Sequence, residues 1–180
     1  VIGDVLFDET ALRTRVGELG AAIAHDYAFD EPLLIGILNS SAMFLADLAR
    51  AVPIPSELDL IALTPYVRGA TGPQRAVRFE KDLSTSVEGR HCILVEDVVD
   101  TGLTLQYILR ALRNRAPASV AVCALLDRPQ RRIADVPIRY RGFEIGDHYV
   151  VGYGLDHRGR FRELPAVYLF EQWPKTIEGG

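Results

Sequence analysis

The segment Ile93 to Leu105, ILVEDVVDTGLTL, puts three acids where an apolar run ends: Glu96, Asp97 and Asp100. Carboxylates are costly inside a buried strand, so this placement points to a site rather than to core. Directly after them, Asp100-Thr101-Gly102-Leu103-Thr104 enters a stretch of helical periodicity. Amides at a helix start point outward with the positive end of the helix dipole, two hydroxyls stand beside them, and Gly102 allows close backbone approach. That combination suits a phosphate monoester. The competing reading is a helix cap, Asp100 or Thr101, followed by solvated strand-end charges. No Gly-x-x-x-x-Gly-Lys and no Gly-x-Gly-x-x-Gly is present, which sets aside P-loop kinases and dinucleotide-binding dehydrogenases.

The elements that must position these residues follow from periodicity. Leu12, Val16, Leu19 and Ile23 form one apolar stripe on a helix of about 18 residues from near Thr10 to about Ala28. Leu33 to Leu38 (LLIGIL) reads as a strand covered on both faces, and Ser41 to Val52 returns to a helix. Leu58 to Leu63, His91 to Val99 and Val120 to Leu126 read as further strands, and Leu105, Ile108, Leu109 and Leu112 lie on one face of a helix ending before Pro117. Strands alternating with helices predict an α/β fold, a mostly parallel twisted sheet flanked by helices. Two stretches break the rhythm. Thr64 to Asp82 is longer than a plain connection and reads as a mobile lid or as a hairpin arm against a partner subunit; Val136 to Phe170 reads as a series of short strands.

At 180 residues, 48% hydrophobic and 24% charged, the chain is predicted to be one globular domain. A net charge of -4 disfavours a phosphate polymer as main partner, so no nucleic acid is expected. No apolar run is long enough to span a bilayer, and the opening VIGDVLFDE lacks the layout of a signal peptide, so no membrane partner and a cytoplasmic, reducing location are expected. Cys92 and Cys123 sit in apolar runs as small hydrophobes. His25, His91, His148 and His157 show no metal-ligand spacing.

Four apolar residues, two acids, two apolar residues, then Asp-Thr-Gly resembles the signature of the type I phosphoribosyltransferases. The LLDRPQRR, GFEIGDHYVVGYGLDHRGRFREL and Glu80-Lys81-Asp82-Leu83 stretches are similar to the hypoxanthine-guanine branch, and the likeness runs from about Leu12 to Leu169. The resemblance implies a magnesium-dependent enzyme that joins a purine-type base to phosphoribosyl pyrophosphate, with a small hood of C-terminal short strands over the base. Residue by residue, it implies that Glu96 and Asp97 hold the ribose hydroxyls directly or through magnesium. Asp100 would be the general acid/base near purine N7, and Asp100, Thr101, Gly102, Leu103 and Thr104 would cradle the 5-phosphate. Arg128, Tyr149, Val150 and Asp156 would form the purine side, with Asp156 also a magnesium ligand. Leu38, Asn39, Ser40 and Arg162 would meet pyrophosphate, and Tyr66 and Lys81 would belong to the lid. A homodimer or homotetramer is implied as well.

Three places in the chain depart from that pattern. Leu38-Asn39-Ser40-Ser41 stands where most members carry Leu-Lys-Gly or Leu-Arg-Gly, a loop often containing a non-proline cis peptide, and Ser40 in place of glycine is expected to make a strained backbone costlier. Pro65-Tyr66 replaces Ser-Tyr, and Arg128 replaces a lysine. These changes motivate a second expectation, a related heterocycle such as xanthine or a deazapurine as the base. A ligand sensor without turnover and an RNA-binding attenuation regulator are the rivals from other classes; the acidic balance and the retained Asp100, Asp156 and Arg162 weigh against them.

Overall fold

The computed structural model describes residues 1–64 and 77–171. Its elements run β1 (Ile2–Phe7), α1 (Glu9–Asp26), β2 (Leu33–Leu38), α2 (Ala42–Ala51), β3 (Glu57–Leu63), β4 (Phe79–Lys81), β5 (His91–Val99), α3 (Leu103–Arg113), β6 (Ser119–Asp127), β7 (Tyr140–Glu144), β8 (Val150–Val151) and β9 (Val167–Phe170). Six strands form the main sheet in the order β4-β3-β2-β5-β6-β7. All neighbours are parallel except β3 and β4. From β2 the chain moves outward to β3, whereas from β5 it moves outward the other way to β6 and β7. The carboxyl ends of β2 and β5 therefore flank a topological switch point, the place where open α/β sheets leave a crevice for ligands.

Alternation along the strands splits the core in two. Leu34, Ile93, Val95, Ala121, Cys123 and Leu125 pack with Leu12, Val16, Leu19 and Ile23 of α1 and Phe44, Leu45 and Leu48 of α2. Leu33, Ile35, Cys92, Leu94, Val122 and Ala124 turn to the other face and meet Leu105, Ile108, Leu109 and Leu112 of α3. Both faces of β2, β5 and β6 are thus covered, which is why those strands read as unbroken apolar runs. Both cysteines are buried and free.

The small hood is an antiparallel sheet in the order β1-β9-β8. Two features of it differ from the sequence expectation. The hood recruits an N-terminal strand, β1, whose Ile2 pairs with Phe170, so it is not made of C-terminal strands alone. The expected hood stretch 136–170 is also divided, because β7 pairs in parallel with β6 as the last strand of the main sheet. A Cβ on Gly142 would lie 2.2 Å from the Leu125 carbonyl oxygen, so glycine is what lets β7 approach β6. The hood shares a core with α1 and α2 through Val150, Tyr153, Leu155 and Val167. Among the described residues no helix is long and apolar enough to cross a membrane.

α1 starts at Asp8, whose carboxylate accepts from the Ala11 amide at 2.8 Å. It carries two glycines with opposite roles. A Cβ on Gly20 would meet the Ala51 carbonyl oxygen at 2.4 Å, so this glycine sets how closely α1 lies against the end of α2, whereas nothing lies within 4 Å of a Cβ on Gly17. Helix propensity alone favours alanine at both sites. Gly17→Ala is expected to stabilise the protein by up to about 1 kcal/mol. Gly20→Ala, facing backbone, is expected to cost about 1 to 3 kcal/mol. Urea unfolding of the two variants checks this; stabilisation by both would show that the α1–α2 contact is not tight.

Candidate active site

β2, β5 and β6 end side by side, and each hands over to a loop at the same edge of the sheet. After β5, Gly102 takes φ +78 and becomes the N-cap of α3 without any side chain to satisfy the first-turn amides. The Thr101 hydroxyl is 3.4 Å from the Leu103 amide, a weak substitute. A Cβ on Gly102 would lie 3.0 Å from the Ala134 carbonyl oxygen and 3.1 Å from Arg132 Cδ, a tight fit, and the positive φ is what favours glycine here. Glu96, Val98, Val99, Asp100, Thr101, Gly102, Thr104 and Leu105 line a cleft of about 180 Å³ at this point. The helix start and Glu96 face one space, and an anion with hydroxyls is what that pairing accommodates.

Glu96 is only 9% exposed and Asp97 4%. No cation pairs with either among the described residues. Burial first, and the neighbouring Asp97 carboxylate second, push Glu96 well above its ordinary value near 4.5. Its one hydrogen bond among the described residues is from the Asp97 amide at 3.1 Å, which lowers the value against the burial that raises it.

The turn is held by arginines. Arg128 follows β6 and is buried; its Nη1 donates to Asp100 Oδ1 at 2.9 Å and its Nη2 to the His148 carbonyl at 2.5 Å, while its buried Nε has no partner. Arg131 Nη1 lies 3.7 Å from the other Asp100 oxygen. One guanidinium therefore links the acid after β5 to the residue just before Tyr149. Arg132 donates through Nε to the Asp100 carbonyl at 3.0 Å and pairs with Asp127, a carboxylate at 1% side-chain exposure that Arg141 also meets at 2.8 Å. The Thr101 carbonyl accepts from the amides of Ile133 and Ala134, both at 2.9 Å. Asp127 and Arg132, which hold the turn from beneath, were not singled out from the sequence. The signal was present in VAVCALLD, where a buried strand ends on an acid that needs a cation.

On the hood side, Val150 is buried in β8 and pairs with Leu169. Tyr149 is 45% exposed, stands edge-on to His157 and Phe170, and donates through its hydroxyl to the Asp156 carbonyl at 2.8 Å. The Asp156 carboxylate accepts from the Gly159 amide at 2.6 Å and pairs with Arg162 Nη2 at 2.8 Å. After β2, the Leu38–Asn39 peptide is cis. The expectation that Ser40 strains the backbone is not met: Ser40 is not among the residues with positive φ, so a side chain there carries no left-handed cost. Ser41 is fully buried and its hydroxyl donates to the Ile37 carbonyl at 2.7 Å, which closes the turn into α2.

Three groups thus come together: Glu96 with Asp100 to Thr104, Arg128 with the Tyr149 segment, and loop 38–41. Contact between loop and hood is direct, because a Cβ on Gly154 would lie 2.1 Å from the Ser40 carbonyl oxygen. Lys81 is placed elsewhere. On the edge strand β4 its ammonium is taken up by the Leu60 carbonyl at 2.6 Å, the Asp82 carbonyl at 3.1 Å and Asp59 Oδ1 at 3.4 Å. Pro65 and Tyr66 lie outside the described residues.

A doubly covered parallel sheet whose switch point holds an acid pair, an uncapped helix start and an arginine-held aspartate is the architecture of a phosphoribosyl-transferring protein. The phosphoribosyl transferase domain family matches residues 4–158, and the chain belongs to that family. A hypoxanthine phosphoribosyltransferase of Haemophilus influenzae is 42% identical over 167 residues, covering 91% of this chain and 93% of that protein. A hypoxanthine-guanine phosphoribosyltransferase of Bacillus subtilis is 40% identical over 166 residues, covering 92% of each. Among solved structures, a hypoxanthine-guanine phosphoribosyltransferase from Bacillus anthracis superposes with a TM-score of 0.89 at 34% identity, covering 95% of this chain and all of that one.

The raised Glu96 sets a sign for stability against pH. The folded free protein holds a proton that the unfolded chain releases near 4.5, so this group lowers stability as pH rises from about there through its raised folded value. Glu96→Gln removes that loss. The variant is expected to melt above the parent at neutral pH, with the gap narrowing toward pH 4.5. A lower melting temperature at neutral pH in the variant would contradict a Glu96 whose value is raised by folding.

Proposed function

We propose that this protein transfers the 5-phosphoribosyl group of phosphoribosyl pyrophosphate to a purine base of the hypoxanthine/guanine type, releasing pyrophosphate and a nucleoside monophosphate. The observation that carries the reading is the position of Asp100. Its carboxylate stands at the mouth of the helix-start cleft and is tied through Arg128 to the residue next to the exposed Tyr149 ring, so sugar phosphate and base would meet across it.

In this reading the amides and hydroxyls of Thr101 to Thr104 cradle the 5-phosphate, and Glu96 and Asp97 hold the ribose hydroxyls. Tyr149 stacks on the purine, the Val150 main chain reads its edge, and Asp100 handles the proton at N7. Arg128 donates to the 6-oxo group; with Nη1 and Nη2 engaged in the free protein, Nε is its buried donor still without a partner. Loop 38–40 and Arg162 lie on the pyrophosphate side. Glu96, Asp97 and Asp156 offer the hard carboxylate oxygens that magnesium takes one or two at a time beside substrate phosphates, and a cation would offset the buried charge on Glu96 and Asp97. A magnesium ion held by these carboxylates would supply charge neutralisation to the leaving pyrophosphate. Water has to be kept from the electron-poor ribosyl carbon, which open solvent would hydrolyse. Assembly as a homodimer or homotetramer belongs to the same reading, and sedimentation equilibrium reads it.

Pyrophosphate release, measured with magnesium and phosphoribosyl pyrophosphate against hypoxanthine, guanine, xanthine, adenine and a deazapurine, tests the assignment. Turnover of hypoxanthine or guanine is expected, with Asp100→Asn lowering kcat by roughly 10² to 10⁴. Arg128→Lys is expected to keep turnover, and Arg128→Met to raise the KM for the base at least about tenfold, the loss of a hydrogen bond to a buried polar group. Turnover confined to xanthine or the deazapurine would point instead to a pocket retuned by Arg128. Binding of phosphoribosyl pyrophosphate without turnover of any base would point to a sensor.

A further inference from the structure

The hood strand β8, which follows Tyr149, continues into Gly152-Tyr153-Gly154, three residues with φ of +97, +52 and +99. Glycine is the residue such a run favours, and its outer positions are glycines; the middle one is a tyrosine. Gly152 leaves no room for a Cβ, which would lie 2.0 Å from the Ala166 carbonyl oxygen, and Gly154 rests on the Ser40 carbonyl. Tyr153 is 8% exposed and its hydroxyl donates to Asp47 Oδ2 at 2.6 Å. Asp47 belongs to α2, the helix that starts directly after loop 38–41, and its other oxygen pairs with Arg50.

Filling the core does not require that hydroxyl. A phenylalanine occupies the same volume, so the oxygen has to be accounted for by what it touches, and it touches only α2 among the described contacts. Burial and the Asp47 carboxylate push the phenol up, so it stays a donor throughout the physiological range. The same backbone run is tied to the pyrophosphate side: Arg162 Nη1 donates to the Gly154 carbonyl at 2.5 Å, the Gly154 amide donates to the Arg162 carbonyl at 3.0 Å, and Arg162 Nη2 reaches Asp156.

We propose that Tyr153 and Asp47 are a positioning pair for the phosphoribosyl pyrophosphate substrate: the hydrogen bond between them fixes α2, and with it loop 38–41, against the hood segment that carries Asp156 and Arg162. Neither residue touches the reacting atoms. The inference rests on the function proposed above.

Tyr153→Phe is expected to raise the KM for phosphoribosyl pyrophosphate roughly tenfold, the order seen when one hydrogen bond to a charged group is lost, while the KM for the base and kcat stay within about twofold. Asp47→Leu is expected to match it, the double variant to add nothing further, and Asp47→Asn, which keeps an acceptor, to restore most of the parent value. Calorimetric titration of magnesium phosphoribosyl pyrophosphate without base keeps this apart from the parent reading. Weaker binding by Tyr153→Phe than by the parent chain supports the pair even if no base is turned over, an outcome that would sink only the proposed reaction. Unchanged affinity in Tyr153→Phe overturns the pair, as does a loss spread evenly over both KM values and kcat in step with a fall in melting temperature.

Discussion

Two parallel strands lie side by side and send the chain away in opposite directions, and every part of the site depends on this. β2 and β5 pair from Leu33 with Cys92 through Gly36 with Val95, and beyond that register, among the described residues, no crossover helix fills the space at their carboxyl ends. What fills it instead is two tight turns, 38–41 and 99–102, each opening a helix on an opposite face of the sheet. Parallel pairing with β6 then brings Arg128 to the same edge. An antiparallel neighbour at any of these positions would carry one of the three loops to the far end of the sheet.

The second constraint is polar. Interiors normally pair their buried donors and acceptors, yet here the Arg128 Nε is buried without a partner, the first-turn amides of α3 have no side-chain cap, and Glu96, which accepts from the Asp97 amide at 3.1 Å, has no cation beside it among the described residues. They differ in chemistry, one cationic donor, one acid, one cluster of neutral donors, and together they match a ligand with an oxo or ring acceptor, hydroxyls and an anion. The surrounding ties are the reverse: Asp127 with Arg132 and Arg141, and Thr101 with the 133–134 amides, are satisfied and rigid. Preorganisation of that kind places polar groups before the ligand arrives and limits what must be reorganised on binding.

Most of this was legible in the residues. Strands 33–38 and 91–99 have the bounds that their apolar runs indicated, because strands covered on both faces announce themselves. The stripe of α3 was equally plain at Leu105, Ile108, Leu109 and Leu112. β1 was not, since Gly3 and Asp4 interrupt it and its stability comes from pairing with β9 across the whole chain, a contact without a local signature. β7 was assigned to the hood because a short, half-exposed strand carries no mark of which sheet it joins; Gly142, needed for its approach to Leu125, is the residue that could have told. At the site, the acids and the glycine turn declared themselves by standing where an apolar strand should continue. Asp127 showed itself only as an acid closing an apolar strand, and which cations it needs, Arg132 and Arg141, is visible only once the strands are in place.

The central claim is that the turn 100–104 is a phosphate site joined to a purine site through Arg128. Calorimetric titration of a 6-oxopurine nucleoside 5-monophosphate, set beside the same nucleoside without its phosphate, tests it most directly. The account predicts that the monophosphate binds at least roughly 100-fold more tightly, and that Gly102→Ala erases most of the difference, since the anion's contacts lie in that turn. Equal binding of the two ligands, or a phosphate preference that survives Gly102→Ala intact, would contradict it.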